Sequence, residues 1–170
     1  MFQIIKYLIH RRQIQKAFHF LDSGFFLKAL GIFRYLADEK NMDNYFISLN
    51  IGRCLSGLKR YKEANTYFHR SFRQFGVNPV PLVGLSRNFL LVGNNILACK
   101  YAKKALVLDP IHPFANYYMG LCMISMGKDS LAIPYFERSL TQKKDFFMAR
   151  NAVFTEKNSF GNFGTELGEF

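Results

Sequence analysis

The sequence lacks tryptophan, has few acidic residues and contains no long apolar run. Its 170 residues include 12 Asp and Glu against 23 Lys and Arg, for a formal net charge of +11. The acids show no paired pattern, so a hydrolase that works with two carboxylates is not expected. No apolar run approaches the roughly 18 residues of a membrane-spanning helix, so we expect no transmembrane segment. We therefore expect no enzyme.

Cysteine is also scarce, and the spacing of the cysteines matches no metal-binding motif. The three cysteines, Cys54, Cys99 and Cys122, cannot all pair with one another. No C-x-x-C motif occurs, and no Cys/His pair has zinc-ligand spacing. We therefore expect reduced, buried thiols in a cytoplasmic protein that carries no metal and no cofactor.

Glycine and proline are present at ordinary levels, and 49% of the residues are apolar, including 19 Phe and 9 Tyr. This composition predicts one globular domain with a sizeable core rather than a disordered chain. The positive charge is spread along the chain and is strongest over residues 45–78. It favours acidic partners, whether a peptide, a membrane surface or a nucleic acid, and the alternative is a solvated basic surface.

The two ends of the chain differ from its middle. In "MFQIIKYLIHRR" the apolar residues precede the positive charges, which is the reverse of a secretory signal. The first acid is Asp22, so an organelle-targeting segment stays open as an alternative. Residues 147–155 keep apolar spacing and predict a capping helix, and the polar, Gly-rich residues 156–170 predict a disordered tail.

One short segment, "GLCMISMGKDSLAIPYF", contains a glycine followed later by GKDS. A phosphate-binding loop needs four residues between its glycines and a Ser or Thr after the lysine. Here six residues separate Gly120 from Gly127, and Asp129 follows Lys128. A nucleotide site is therefore not expected.

The same segment belongs to an internal repeat with a period of 34 residues. Three places of the repeat keep small or aromatic side chains: Gly52, Ser86 and Gly120; Ala64, Ala98 and Ala132; Phe68, Ala102 and Phe136. A further half-unit, with Gly24, Ala29 and Phe33, lies one step of 35 residues earlier. Each unit predicts two amphipathic helices joined by a turn at Lys59-Arg60, Gly93 or Gly127, with small residues where the helices approach closely.

The repeat resembles the tetratricopeptide repeat (TPR). The matching residues are Ile51-Gly52, Tyr61, Ala64 and Phe68 in the second unit; Gly93, Ala98, Ala105, Asp109 and Pro110 in the third; and Met119-Gly120, Ala132 and Phe136 in the fourth. The family's tryptophan is absent from the first helices, where Ser48, Leu82 and Asn116 stand, and Ala102 replaces an aromatic. The pentatricopeptide repeat, which reads RNA, is the alternative, but its strict 35-residue step is absent.

The resemblance implies an all-α fold, a right-handed α-α superhelix of about four helical hairpins. We place the hairpins at residues 10–44, 45–78, 79–112 and 113–146, with residues 1–9 as an N-terminal helical extension or cap. It further implies a protein-interaction module that captures a partner in a concave groove lined by the first helices. The clamp of Lys, Asn and Arg with which some members hold chaperone tails is not intact here, so chaperone-tail binding is not expected.

The period projects a set of mostly apolar residues and two arginines into this groove. They are Phe46, Leu49, Arg53, Val83, Arg87, Leu90, Phe114, Tyr117 and Leu121. Such a groove suits a protein partner with an apolar and acidic segment. The alternative function is RNA or membrane-surface binding through basic residues of the second helices, on the convex side: His69, Arg70, Arg73, Lys100, Lys103 and Lys104. No aromatic stacking platform accompanies these cations, which favours the groove.

Overall fold

The computed structural model describes the backbone of residues 2–40 and 44–142 and the side chains of residues 10–38 and 44–141. Over these ranges the chain is all α-helical, without a strand. The helices are α1 (Phe2–Asp22), α2 (Phe26–Lys40), α3 (Tyr45–Gly57), α4 (Tyr61–Gln74), α5 (Val80–Leu91), α6 (Asn95–Leu108), α7 (Pro113–Ser125) and α8 (Asp129–Gln142). The predicted all-α fold is confirmed. None of these helices combines the length and the hydropathy needed to cross a membrane.

The helices fall into two compact units, residues 1–84 and 85–170, divided within α5. In the first unit α2 packs against α1 and α3, and α3 packs against α4. In the second unit α7 packs against α6 and α8. The repeat limits proposed from the period stay predictions. The proposed capping helix at 147–155 and tail at 156–170 lie outside the described residues, as does the end of the fourth repeat.

The turn inside every hairpin contains one residue in the left-handed region. These residues are Gly24 (φ 78°), Lys59 (φ 60°), Gly93 (φ 76°) and Gly127 (φ 68°), and they occupy equivalent places of the repeat. In each turn the next N–H donates to the carbonyl five residues earlier, at 2.8 or 2.9 Å. This pattern ends the first helix and starts the second, and glycine is favoured because it has no β-carbon. The predicted turns are confirmed, with Lys59 as the one non-glycine residue among them.

The small residues of the repeat allow the paired helices to approach closely. Ala29, Ala64, Ala98 and Ala132 are fully buried. A β-carbon at Gly52 would lie 2.8 Å from the ring of Phe68, and one at Gly84 would lie 2.6 Å from the same ring. Phe68 therefore fills the space between α3 and α5, where Gly84 adds a contact that the repeat pattern had not marked as packing.

Helix starts are held by side-chain caps at three of the helices. Asn44 accepts from two N–H groups of α3 at 3.1 Å, Asn94 accepts from Leu97 N–H of α6 at 3.1 Å, and His112 caps α7. Helix α8 begins at Asp129, five residues before Pro134. Pro134 consequently lies inside α8, where its ring nitrogen cannot donate to a carbonyl one turn earlier.

Candidate partner-binding surface

In the first unit, aromatic side chains of α1 and α3 form an apolar surface. The rings of Phe18 and Phe46 lie 5.6 Å apart, and Phe18 also contacts Phe33 edge-on at 5.8 Å. Phe46 and Leu49 are half-buried, so each keeps part of its side chain open to solvent. This surface can offer apolar contacts to a ligand.

Arg53 is exposed next to this surface and is oriented by a buried asparagine. Its Nη1 donates to Asn50 Oδ1 at 3.1 Å, and Asn50 Nδ2 donates to the Phe46 carbonyl at 2.8 Å. Asn50 is only 1% exposed, so it is a fixed anchor for the guanidinium. The remaining N–H groups of Arg53 are donors in the geometry that suits a carboxylate.

In the second unit, Arg87 is exposed on α5 and lies close to a tyrosine of α7. Burial raises the pKa of the Tyr118 hydroxyl, and the charge of Arg87 acts in the opposite direction. Leu90, Phe114 and Leu121 are half-buried and pack on the core of this unit. The second unit thus also combines an exposed arginine with partly exposed apolar side chains.

Two of the residues predicted to line the groove are largely inaccessible. Val83 is 8% exposed and Tyr117 is 6% exposed, and the Tyr117 ring packs on Phe136 at 5.8 Å. They contribute packing beneath the surface rather than contact area. The predicted residues divide between the units: Phe46, Leu49, Arg53 and Val83 in the first, and Arg87, Leu90, Phe114, Tyr117 and Leu121 in the second.

Two polar residues of this surface were missed by the sequence reasoning. Asn50 precedes Arg53 by three residues, a spacing at which helical side chains meet, and this was the available signal. Tyr118 follows Tyr117 directly, so the helical projection that faced Tyr117 into the groove turned Tyr118 away from it. Its approach to Arg87 depends on packing between helices.

Metal-ligand clusters and activated cysteines were sought among the described residues. No cluster of three or more His, Cys, Asp or Glu occurs in the described part of the chain. Burial raises the pKa of the Cys54 thiol to about 12, against the nearby positive charge of Arg53. Burial likewise raises the pKa of Cys122 to about 12. Both thiols are therefore protonated at neutral pH, whereas a nucleophilic cysteine is a thiolate.

Comparison with protein-family models gave no match, and comparison with curated protein sequences gave none either. Solved structures do match over most of the chain. The crystal structure of MamA superposes with a TM-score of 0.68 at 17% identity, over 85% of this chain and 84% of MamA. A tetratricopeptide repeat protein from Parabacteroides merdae gives a TM-score of 0.68 at 20% identity, over 91% of this chain and 61% of that one.

A third match is the first TPR of Spaghetti (RPAP3), in a structure bound to the HSP90 peptide SRMEEVD. It gives a TM-score of 0.66 at 17% identity, over 69% of this chain and 96% of that one. With eight helices in the described ranges, these similarities establish the fold as an all-α solenoid of helical-hairpin repeats, of the TPR type. The resemblance drawn from the repeat pattern is confirmed at the level of the fold.

Proposed function

We propose that this chain is a protein-interaction scaffold that captures an apolar, acidic segment of a partner protein on the exposed faces of its first helices. The role is not enzymatic, and its proposed location is the cytoplasm, where free Cys54, Cys99 and Cys122 stay reduced. One observation carries the proposal: an exposed arginine beside half-buried apolar side chains recurs one repeat apart, at Arg53 and Arg87.

Both the apolar contacts and the carboxylate binding that we propose have a physical basis. Partly exposed Phe46, Leu49, Phe114 and Leu121 can bury apolar groups of a ligand, which is the main source of affinity. A guanidinium fork selects a carboxylate and fixes its orientation. Solenoids of stacked hairpins offer partners the faces of their first helices, and we assign Arg53 of the first unit and Arg87 of the second unit to such faces.

The structural neighbour bound to a peptide supports capture of a segment rather than of a folded domain. The groove chemistry differs from a clamp for that acidic tail, because Leu49 and Val80 stand at places where such clamps carry polar or charged side chains. We therefore expect SRMEEVD to bind weakly, and an amphipathic helix with one or two acidic residues to bind better.

The test compares charge reversals on the two faces. Partners are captured from the source cell with nuclease present, and peptides spanning the captured protein are titrated. Arg53→Glu/Arg87→Glu should weaken the tightest peptide by more than ~2 kcal/mol, about thirtyfold, because an attraction becomes a repulsion. Circular dichroism must show an unchanged helical signal. Intact peptide binding by this variant would contradict the proposed surface.

The matched control is Lys103→Glu/Lys104→Glu on the second helix α6, where both lysines are exposed. This pair should leave peptide binding unchanged. If the chain instead binds RNA or a membrane surface, the effects of the two variants should be reversed. The Lys103→Glu/Lys104→Glu variant should then lose binding to RNA or anionic vesicles, and the arginine variant should keep it. That binding would also fall steeply between two salt concentrations, because bound cations are released from a polyanion.

A further inference from the structure

Three sulfur atoms meet in the second unit, between α6 and α7. Cys122 belongs to the buried core cluster of this unit, and Cys99 packs against that cluster. The Cys99 thiol donates to Met119 Sδ, with the two sulfurs 3.8 Å apart. Met119 and Cys122 are three residues apart on α7 and so share one helical face. The result is a compact trio of two thiols and one thioether.

The surroundings of this trio are apolar. Cys122 is fully buried, Met119 is 8% exposed, and Ala98, Ala102 and Phe136 belong to the same core cluster. No group of three or more His, Cys, Asp or Glu exists among the described residues. Zinc sites use four nitrogen, thiolate or carboxylate ligands, so this trio does not suit zinc. Two thiolates and a thioether are soft ligands, which select monovalent copper.

We propose that Cys99, Met119 and Cys122 form a three-sulfur binding site for Cu(I). One cuprous ion replaces the two thiol protons, which leave to solvent, and the thioether completes the coordination. No electron is transferred, because the metal enters already reduced. A coordinating thiol gives up its proton to the metal even where burial otherwise keeps it protonated.

The site has a route to solvent. Met119 lines a cavity of about 340 Å³ together with Lys103 of α6 and Arg138 of α8. Cys99 is itself only partly buried. A cuprous ion between two thiolates carries a net charge of −1, and the two cations beside the cavity favour an anionic complex at this place.

The chain contains its own control cysteine. Cys54 occupies the same place of the repeat as Cys122, two periods of 34 residues earlier, and is equally buried. The places equivalent to Cys99 and Met119 are there taken by Leu30 and Ile51, which have no sulfur. A metal that merely reacted with buried thiols would not distinguish Cys54 from Cys122.

The experiment titrates the reduced full-length chain anaerobically with Cu(I), in competition with the chromophoric chelator bicinchoninate. We expect one equivalent to be withdrawn from the chelator by the wild type and by Cys54→Ala. Cys122→Ala and Cys99→Ser should lose this equivalent, and Met119→Leu should bind roughly tenfold more weakly or worse. X-ray absorption at the copper edge should show sulfur ligands only.

Thermal unfolding supplies a second readout. Cu(I) should raise the melting temperature of the wild type and of Cys54→Ala, because a ligand that binds the native state stabilises it. It should not raise that of Cys122→Ala, whose own melting temperature reports whether the variant is folded. The proposal is overturned if the wild type takes no copper from the chelator, or if Cys54→Ala loses as much copper as Cys122→Ala.

Discussion

Gly120 of α7 lies directly against the ring of Phe136 on α8. A β-carbon at Gly120 would lie 2.7 Å from Cδ1 and 2.8 Å from Cζ of that ring. The equivalent pair on α5 and α6 is Ser86 and Ala102, so a β-carbon is present where the ring is missing. The Ser86 hydroxyl donates to the Ala98 carbonyl at 2.9 Å, which ties α5 to α6. The equivalent space is thus filled by a serine and an alanine in the α5–α6 hairpin, and by a glycine and a phenylalanine ring in the α7–α8 hairpin.

This complementarity predicts a rescue between two destabilising substitutions. Gly120→Ser alone should cost about 1–3 kcal/mol by overpacking. Phe136→Ala alone should cost about 3–5 kcal/mol by leaving a cavity. The double variant copies Ser86 and Ala102, and its cost should be smaller than the sum by at least ~1 kcal/mol. Urea unfolding of the four proteins measures this coupling, and strict additivity would show that the two sites do not share the space.

The first hairpin shows that the pairing is not a simple rule. Ala17 stands at the glycine place and Phe33 at the aromatic place, and both are fully buried. The ring of Phe33 packs edge-on against Phe18 there. The rescue is accordingly predicted for α7 and α8, where the contact between Gly120 and Phe136 is direct.

Among the described residues, Lys59 is the one lysine in a left-handed turn, and its replacement by glycine should stabilise the protein. Its φ of 60° brings the β-carbon against the backbone, a strain of about 1–2 kcal/mol that glycine does not have. Glycine costs part of this gain in chain entropy, so we expect Lys59→Gly to raise the free energy of unfolding by ~0.5–1 kcal/mol.

The control for this prediction is Lys59→Ala, which removes the charge and the long side chain but keeps the β-carbon. It should bring no such gain in the urea midpoint. Equal stabilisation by alanine and glycine would mean that the lysine side chain, and not the backbone, is the source of the cost.

The period alone sufficed to locate these turns and the buried alanines, because both are set by backbone geometry that every hairpin must repeat. It did not reveal the hydrogen bond between Arg53 and Asn50 or the approach of Arg87 to Tyr118. These contacts depend on side-chain rotamers and on packing between helices, which vary from one repeat to the next. The sulfur trio was missed for a related reason. Cys99 meets Met119 and Cys122 across neighbouring hairpins, so no fixed spacing in the sequence predicts this contact.

Two serines at equivalent places of the repeat should respond in opposite ways to replacement by alanine. Ser71 Oγ donates to the Tyr45 carbonyl at 2.7 Å. Ser139 is fully buried, and its hydroxyl has no hydrogen-bond partner within the described ranges. Ala105 already occupies this place in the third hairpin, so the space accepts alanine.

Ser71→Ala should therefore cost about 1 kcal/mol, the net value of a hydrogen bond together with an orphaned carbonyl. Ser139→Ala should be neutral or stabilise by up to ~1 kcal/mol, because it removes a buried hydroxyl without a partner. Each variant is measured by chemical denaturation beside the wild type. A comparable loss of stability in both would mean that Ser139 makes a hydrogen bond after all.

His112 makes the stability of the second unit depend on pH. Its Nδ1 accepts from Ala115 N–H at 3.3 Å and caps α7, which requires the unprotonated nitrogen. Burial lowers the pKa of His112 below its ordinary value of 6.5, against the opposing charge of Asp109. The unfolded chain therefore binds this proton at a higher pH than the native state does. Stability should be fully present above pH 6.5 and should fall as the pH drops from there towards the lower native pKa.

The matched variant for this prediction is His112→Asn, because asparagine is a good N-cap that does not titrate. Thermal unfolding from pH 7.5 to 5, in roughly half-unit steps across the histidine range, should show a steeper decline for the wild type than for the variant. The other histidines are the same in both proteins, so the difference between the two curves isolates His112. Parallel curves would show that the α7 cap does not change protonation over this range, and a larger slope in the variant would contradict the direction of the shift.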